Sequence, residues 1–219
     1  MIIGLTGKNA SGKGEAANYL KSKGFIYFSL SDIIREEATK RGLEHSRDNL
    51  INIGNELRKN FAPNYLAAQI NVKILNYKKI FPKENFFVVD SIRSPFEAKE
   101  LMKNGDFTLV GIDAPIEIRF KRLLERNRLG DAKTLEDFKK QEERENLKSE
   151  SNQQLDETFR LSQEIIINSG TLDSLHMKID DLLNHLERKN KREVSRNYVL
   201  ALATGTRRAT RSLNVNGER

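Results

Sequence analysis

Near the start of the chain, Gly7-Lys8-Asn9-Ala10-Ser11-Gly12-Lys13 sets two glycines around four residues, with a lysine directly after the second. Glycines at that spacing let successive backbone N–H groups curl around an anion, and a lysine so placed reaches the β- and γ-phosphates of a nucleoside triphosphate. The run from Gly7 through Gly14 and Glu15 is therefore the candidate ATP-phosphate site, with Lys13 as its catalytic cation. Such loops usually place a Ser or Thr hydroxyl after the lysine to hold Mg²⁺, and Gly14 removes that ligand. Other groups suited to phosphate chemistry follow. Asp90 closes the apolar run Phe86-Phe87-Val88-Val89, a costly position for a carboxylate unless a cation meets it. Asp32 and Arg35 lie three apart, so one helix face can present both. Arg35 and Arg93 offer planar forks that grip an anion through two parallel bonds, and Arg58 is a third candidate. The segment Arg119–Arg128 is dense in charge, and its Arg122, Arg126 and Arg128, with Arg144 beyond, are candidates to neutralise a phosphoryl group in transfer. The chain has no cysteine and only three scattered histidines, His45, His176 and His185. Any metal must then rest on oxygen ligands, which suits Mg²⁺ on Asp90 and Asp32.

These residues need a scaffold, and the hydropathy pattern describes one. Ile2-Ile3-Gly4-Leu5 reads as a buried strand entering the glycine loop, and a helix with Ala16, Ala17, Tyr19 and Leu20 on one face follows it to Gly24. Further strands are expected at Phe25–Phe28, Phe86–Asp90, Phe107–Asp113 and Glu164–Asn168. Three helices, interrupted at Gly42 and near Pro63, fill residues 31–79 as an insertion, and 116–150 forms a charged helical lid region. Strands alternating with helices predict a three-layer α/β/α domain around a five-stranded parallel sheet. Leu175, Ile179, Leu182, Leu183 and Leu186 share a face of a closing helix, Leu172–Leu186. The domain is then 1–187, followed by a basic, flexible tail at 188–219 in which Val194–Ala203 can form one more helix.

Taken in order, Gly7–Glu15, Ser31-Asp32-Ile33-Ile34-Arg35, Gly54-Asn55-Glu56-Leu57-Arg58, Val89-Asp90-Ser91-Ile92-Arg93-Ser94 and Arg119–Arg128 resemble the P-loop nucleoside-monophosphate kinases and dephospho-CoA kinases. Within that group the chain looks most like little-characterised archaeal and bacterial kinase-like proteins with a Gly-Lys-Gly-Glu loop. The resemblance covers about residues 1–187 and implies ATP and Mg²⁺ as cofactors. It implies that Asp32 supports metal or acceptor oxygen, that Arg35 and Arg93 clamp the acceptor phosphate, and that Asp90 orients Mg²⁺. Asn168, in Asn168-Ser169-Gly170, stands where relatives contact the adenine ring. Plainer readings stay open: a helix cap and surface ion pair for Asp32, a solvated helix face for Arg58, a simple turn for Asn168. The chain is accordingly expected to phosphorylate a small phosphorylated acceptor, a (deoxy)nucleoside monophosphate or dephospho-CoA, or else to bind nucleotide as a sensor with little turnover.

The net charge of +7 over 219 residues suggests a nucleic-acid partner until it is located. Residues 188–219 hold nine Lys or Arg against two Glu, so the tail carries the whole +7 and the rest is neutral. A solvated basic end explains this, and contact with nucleic acid is expected only through the tail. No apolar run approaches the roughly 20 residues that span a bilayer, and the opening residues lack a secretory pattern, so a cytoplasmic protein is expected. Arg196–Ala203 faintly resembles the first helix of deoxycytidylate-deaminase domains, but without cysteine the zinc chemistry of those domains is excluded. The sequence leaves the oligomeric state open.

Overall fold

The computed structural model describes residues 1–127, 130–145 and 153–203, the side chains of 144, 145, 193, 194 and 197–203 excepted. Arg128, the side chain of Arg144 and the stretch Thr204–Arg219 therefore lie outside the described residues. The described residues fall into two units, divided after Leu175.

Five short β-branched and aromatic runs form one all-parallel sheet: β1 Ile2–Thr6, β2 Ile26–Ser29, β3 Phe87–Asp90, β4 Phe107–Asp113 and β5 Glu164–Ile167. Their order is β2-β3-β1-β4-β5, so β1 is central, pairing Gly4 with Val89 of β3 on one side and Leu109 of β4 on the other. Every residue of β1 is buried, as expected for a parallel strand covered on both faces. β5 forms one margin and pairs with β4, with Ile166 buried and Ile165 and Ile167 exposed.

Helix α1, Lys13–Ser22, follows β1 and buries Ala16, Ala17 and Leu20. Between β2 and β3 lie α2 Leu30–Lys40, α3 Arg47–Asn60 and α4 Tyr65–Ile80. The insertion is thus three helices with breaks at Gly42 and Pro63, as the punctuation in the sequence dictates. Ser29 and Ser46 start α2 and α3 by accepting backbone N–H groups of Ser31 and Asn49. Leu66, Ala67, Ile70 and Ile74 of α4 join Ile34, Ile53 and Leu57 in a single core with Phe87, Val89 and Leu109 of the sheet. Helix α5, Pro95–Met102, crosses from β3 to β4 behind a capping box of Ser94 and Glu97, with Pro95 in its first turn. Helices α6 Ile116–Arg126 and α7 Leu135–Glu145 pack through a small cluster of Leu123, Ala132 and Phe138. α8, Leu155–Arg160, precedes β5.

The last helix departs from expectation. α9 runs unbroken from Leu172 to Ala203, where an end was expected at Leu186 and a separate helix at Val194–Ala203. Residues 187–193 are Glu, Arg, Lys, Asn, Lys, Arg and Glu, which change the charge without Gly or Pro, so nothing in them stops a helix. None of the helices among the described residues is long and apolar enough to cross a membrane.

Candidate functional site

The loop between β1 and α1 is shaped by two glycines. Gly7 has φ +140 and a Cβ there would lie 2.1 Å from the carbonyl oxygen of Ile112; Gly12 has φ +107 and a Cβ there would lie 2.1 Å from Asn168 Nδ2. Side chains are excluded at both positions by conformation and by space. The loop so formed opens α1 at Lys13, with Gly12, which has no side chain to cap the helix, as the N-cap. The first N–H groups of the helix and its dipole make the position receptive to anions. The Lys13 ammonium curls back over the loop, donating to the carbonyl oxygens of Gly7 at 2.6 Å and Lys8 at 2.8 Å. Lys8 pairs with Asp156 at 3.1 Å. Ala10 sits at φ +58, and the hydroxyl of the fully buried Ser11 has no partner among the described residues.

Three side chains from distant sequence hold the loop. Asn168, just past β5, is buried and donates from Nδ2 to the Ser11 carbonyl at 2.9 Å. Arg119 donates to the Asn9 carbonyl at 3.4 Å and Arg126 to Asn9 Oδ1 at 3.0 Å. Arg119 is itself buried, donating to the Ala114 carbonyl and paired with Glu142 while it faces the Phe138 ring. Arg126 forms a two-bonded pair with Asp131 at 2.7 and 2.8 Å. Arg122 approaches Asn168 Oδ1 at 3.4 Å, and its Nη1 is buried without a partner among the described residues. Asn168 thus has its amide engaged by the phosphate loop and by Arg122.

The segment after β3 lies against the loop's other side. Thr6 donates to the Ile92 carbonyl at 2.9 Å, and the Ile92 N–H to the Leu5 carbonyl at 3.3 Å. Asp90 therefore ends β3 beside the carboxyl end of β1, the edge where ligands bind in open α/β sheets. Its Oδ2 accepts from Ser91 at 3.3 Å and from Tyr27 at 3.5 Å, while Oδ1 is buried with no partner among the described residues. Burial, and next the Asp90 charge, raise the Tyr27 pKa; Asp32 adds to this, and a Ser29 hydrogen bond and the Arg35 charge oppose it.

Beyond Asp90 opens a cavity of about 110 Å³ walled by Arg35, Arg47, Arg58 and Arg93 together with Ser91 and Gln153. Arg93 donates to Gln153 Oε1 at 3.1 Å. Arg35 pairs with Asp32 at 2.7 Å, both about half exposed, and the cap of α2 is Ser29. Asp32 is thus engaged with Arg35. Arg58 belongs to the wall, yet it is not on a solvated helix face: it is 3% exposed and donates from Nε and Nη2 to Glu97 Oε1 at 2.9 and 2.8 Å. Arg47, Gln153 and Glu97 escaped the sequence reading. Glu97 carried a local signal, its place three residues after Ser94 in a capping box, whereas nothing near Arg47 or Gln153 in the sequence marks them as wall residues.

An oxygen-ligated cation fits this edge. No group of three His, Cys, Asp or Glu converges among the described residues, so these residues build no full cage. Mg²⁺ needs none, because it takes one or two carboxylates and completes its shell with phosphates and water. The buried, unpartnered Asp90 Oδ1 is such a ligand.

A family model described as an AAA domain matches residues 3–153. The UPF0200 protein of the archaeon Pyrococcus abyssi is 32% identical over 189 residues, covering 85% of this chain and 97% of the relative. Among solved structures, TT1252 from Thermus thermophilus is 22% identical with a TM-score of 0.50, covering 85% of this chain and 97% of that one. A gluconokinase from Sinorhizobium meliloti is 13% identical with a TM-score of 0.50, covering 87% of this chain and 95% of that one. The two structures share the overall fold of this chain, whose parallel five-stranded sheet carries helices on its faces.

Proposed function

Because the chain belongs to the AAA-domain family, and with it to the UPF0200 proteins of archaea, we propose that it transfers the γ-phosphoryl group of ATP to a small phosphorylated acceptor. The acceptor class is a (deoxy)nucleoside monophosphate or dephospho-CoA, as the ordered motifs of the sequence imply. One observation carries the reading: a phosphate loop with its lysine stands at the carboxyl edge of the sheet, and a cavity walled by four arginines opens beyond Asp90 on the same edge.

The loop N–H groups and Lys13 hold the β- and γ-phosphates, with Lys13 exchanging its bonds to the Gly7 and Lys8 carbonyls for phosphate oxygens. Arg93 and Arg35, with Arg47 beside them, grasp the acceptor phosphate. Arg58, its charge balanced by Glu97, shapes the wall. An acceptor oxygen attacks the γ-phosphorus as the bond to the ADP oxygen breaks, and Arg122 and Arg126 neutralise charge spreading over the equatorial oxygens. Asp90 would hold Mg²⁺, which supplies further neutralisation when bound. Asn168 holds the loop and Arg122 at a fixed separation and thereby positions both.

The test is ADP release measured across a panel of monophosphates and dephospho-CoA. At least one acceptor should stimulate turnover, and Lys13→Ala should lower kcat by roughly a hundredfold or more. No acceptor-dependent turnover anywhere would sink the reading. The missing hydroxyl at position 14 favours a second reading, a sensor that binds nucleotide without efficient transfer. Tight ATP binding by calorimetry with negligible turnover would establish that alternative.

A further inference from the structure

We infer that the hydroxyl oxygen this loop lacks after Lys13 is supplied by Ser91, which with Asp90 forms a two-residue oxygen site for the divalent cation that accompanies the nucleotide. The inference rests on the ATP and Mg²⁺ reading above.

Position 14 and position 91 are complementary. A Ser or Thr at position 14 would bring its hydroxyl to the cation, and space does not forbid one: a Cβ built at Gly14 meets no heavy atom within 4 Å. The opposite holds at position 91. Ser91 sits at φ +65, in the left-handed region that glycine adopts freely and other residues only at a cost. A glycine would relieve the backbone there, yet the chain carries a hydroxyl, and that hydroxyl stands 3.3 Å from Asp90 Oδ2. The second carboxylate oxygen, Oδ1, is buried and unpartnered among the described residues, a state that calls for a cation or a donor. One carboxylate, one neutral hydroxyl and the phosphates themselves make the oxygen-only set that Mg²⁺ accepts. Ser91 also belongs to the wall of the arginine cavity, so its oxygen lies on the acceptor side of Asp90, whereas a residue 14 hydroxyl would approach from the loop.

Mn²⁺ titrated into the full chain in the presence of the non-hydrolysable analogue AMPPNP, and followed by electron paramagnetic resonance, reads this site without turnover. Ser91→Ala and Ser91→Gly should each weaken Mn²⁺ binding by about tenfold or more. Ser91→Gly should melt roughly 2–4 °C above Ser91→Ala, because the strain is relieved, which separates a lost ligand from a damaged fold. Adding Gly14→Ser to the Ser91→Gly variant should restore Mn²⁺ affinity from the loop side. Mn²⁺ affinities of both Ser91 variants within about twofold of the parent, with AMPPNP still bound, would overturn this inference while leaving the kinase reading standing. A parent chain that does not bind AMPPNP at all, measured by calorimetry, would overturn both.

Discussion

The Tyr27 phenol stands 3.5 Å from Asp90 Oδ2, and its pKa is raised first by burial and then by the charge of that carboxylate. A raised phenol pKa favours the protonated folded state. Its contribution to stability is therefore whole below the ordinary value of about 10 and disappears as pH climbs through the folded value. Asp90→Asn removes the larger of the two charges that raise it. The midpoint of Tyr27 in an ultraviolet difference titration should then fall toward the ordinary tyrosine value, and the alkaline loss of stability should shrink. A midpoint that did not move would remove Asp90 as a cause. At this scale the sequence was readable where chemistry is local: the spacing of Gly7, Gly12 and Lys13 defines a loop without reference to anything distant. It was unreadable where a side chain's role depends on its partner. Arg58 and Arg119 look like Arg93 and Arg122 in one dimension, but Glu97 and Glu142, 39 and 23 residues away, make the first two buried and paired.

α5 shows how one element can set the geometry of others. Glu97 Oε2 accepts the N–H groups of Arg93 and Ser94, closing the capping box, while Oε1 accepts two bonds from Arg58 of α3. One buried carboxylate thus fixes the start of α5, the backbone of Arg93 and the lean of α3 toward the cavity. Glu97→Gln leaves the Arg58 charge buried and uncompensated, and stability should fall by about 3 kcal/mol. In urea this should appear as a lower midpoint with an unchanged slope. A midpoint equal to that of the parent would show that Arg58 is not held by charge. The strands and the three inserted helices were legible because β-branched runs, serine caps and breaks at Gly42 and Pro63 are local signals. The start of α5 was marked by Ser94-Pro95-Phe96-Glu97, but eight residues give too little periodicity to carry the helix beyond that mark. The full length of α9 was not legible because its apolar face fades after Leu186, while residues 187–193 hold no Gly or Pro to stop the helix.

For the molecule as a whole, the count of strands and their parallel sense followed from the alternation of elements, but their order did not. The arrangement β2-β3-β1-β4-β5 depends on pairings between residues up to about a hundred apart, such as Ile2 with Phe107, for which one sequence carries no local mark. That order brings β1 and β3 together at the loop and puts β5 at a margin. The margin has its own result for the protein in bulk. Glu-Ile-Ile-Ile is short, β-branched and free of proline, and two of its isoleucines, Ile165 at 55% and Ile167 at 49%, are exposed. An apolar strand at a sheet edge is a template for adding a foreign strand. Concentrated or warmed solutions should therefore turn cloudy before the core melts, and Ile165→Lys should raise the onset of light scattering while leaving the melting temperature nearly unchanged. If the onset stays where it was, the cloudiness begins elsewhere; if it rises, the shelf life of this protein is governed by the same outer strand that delivers Asn168 to the phosphate loop.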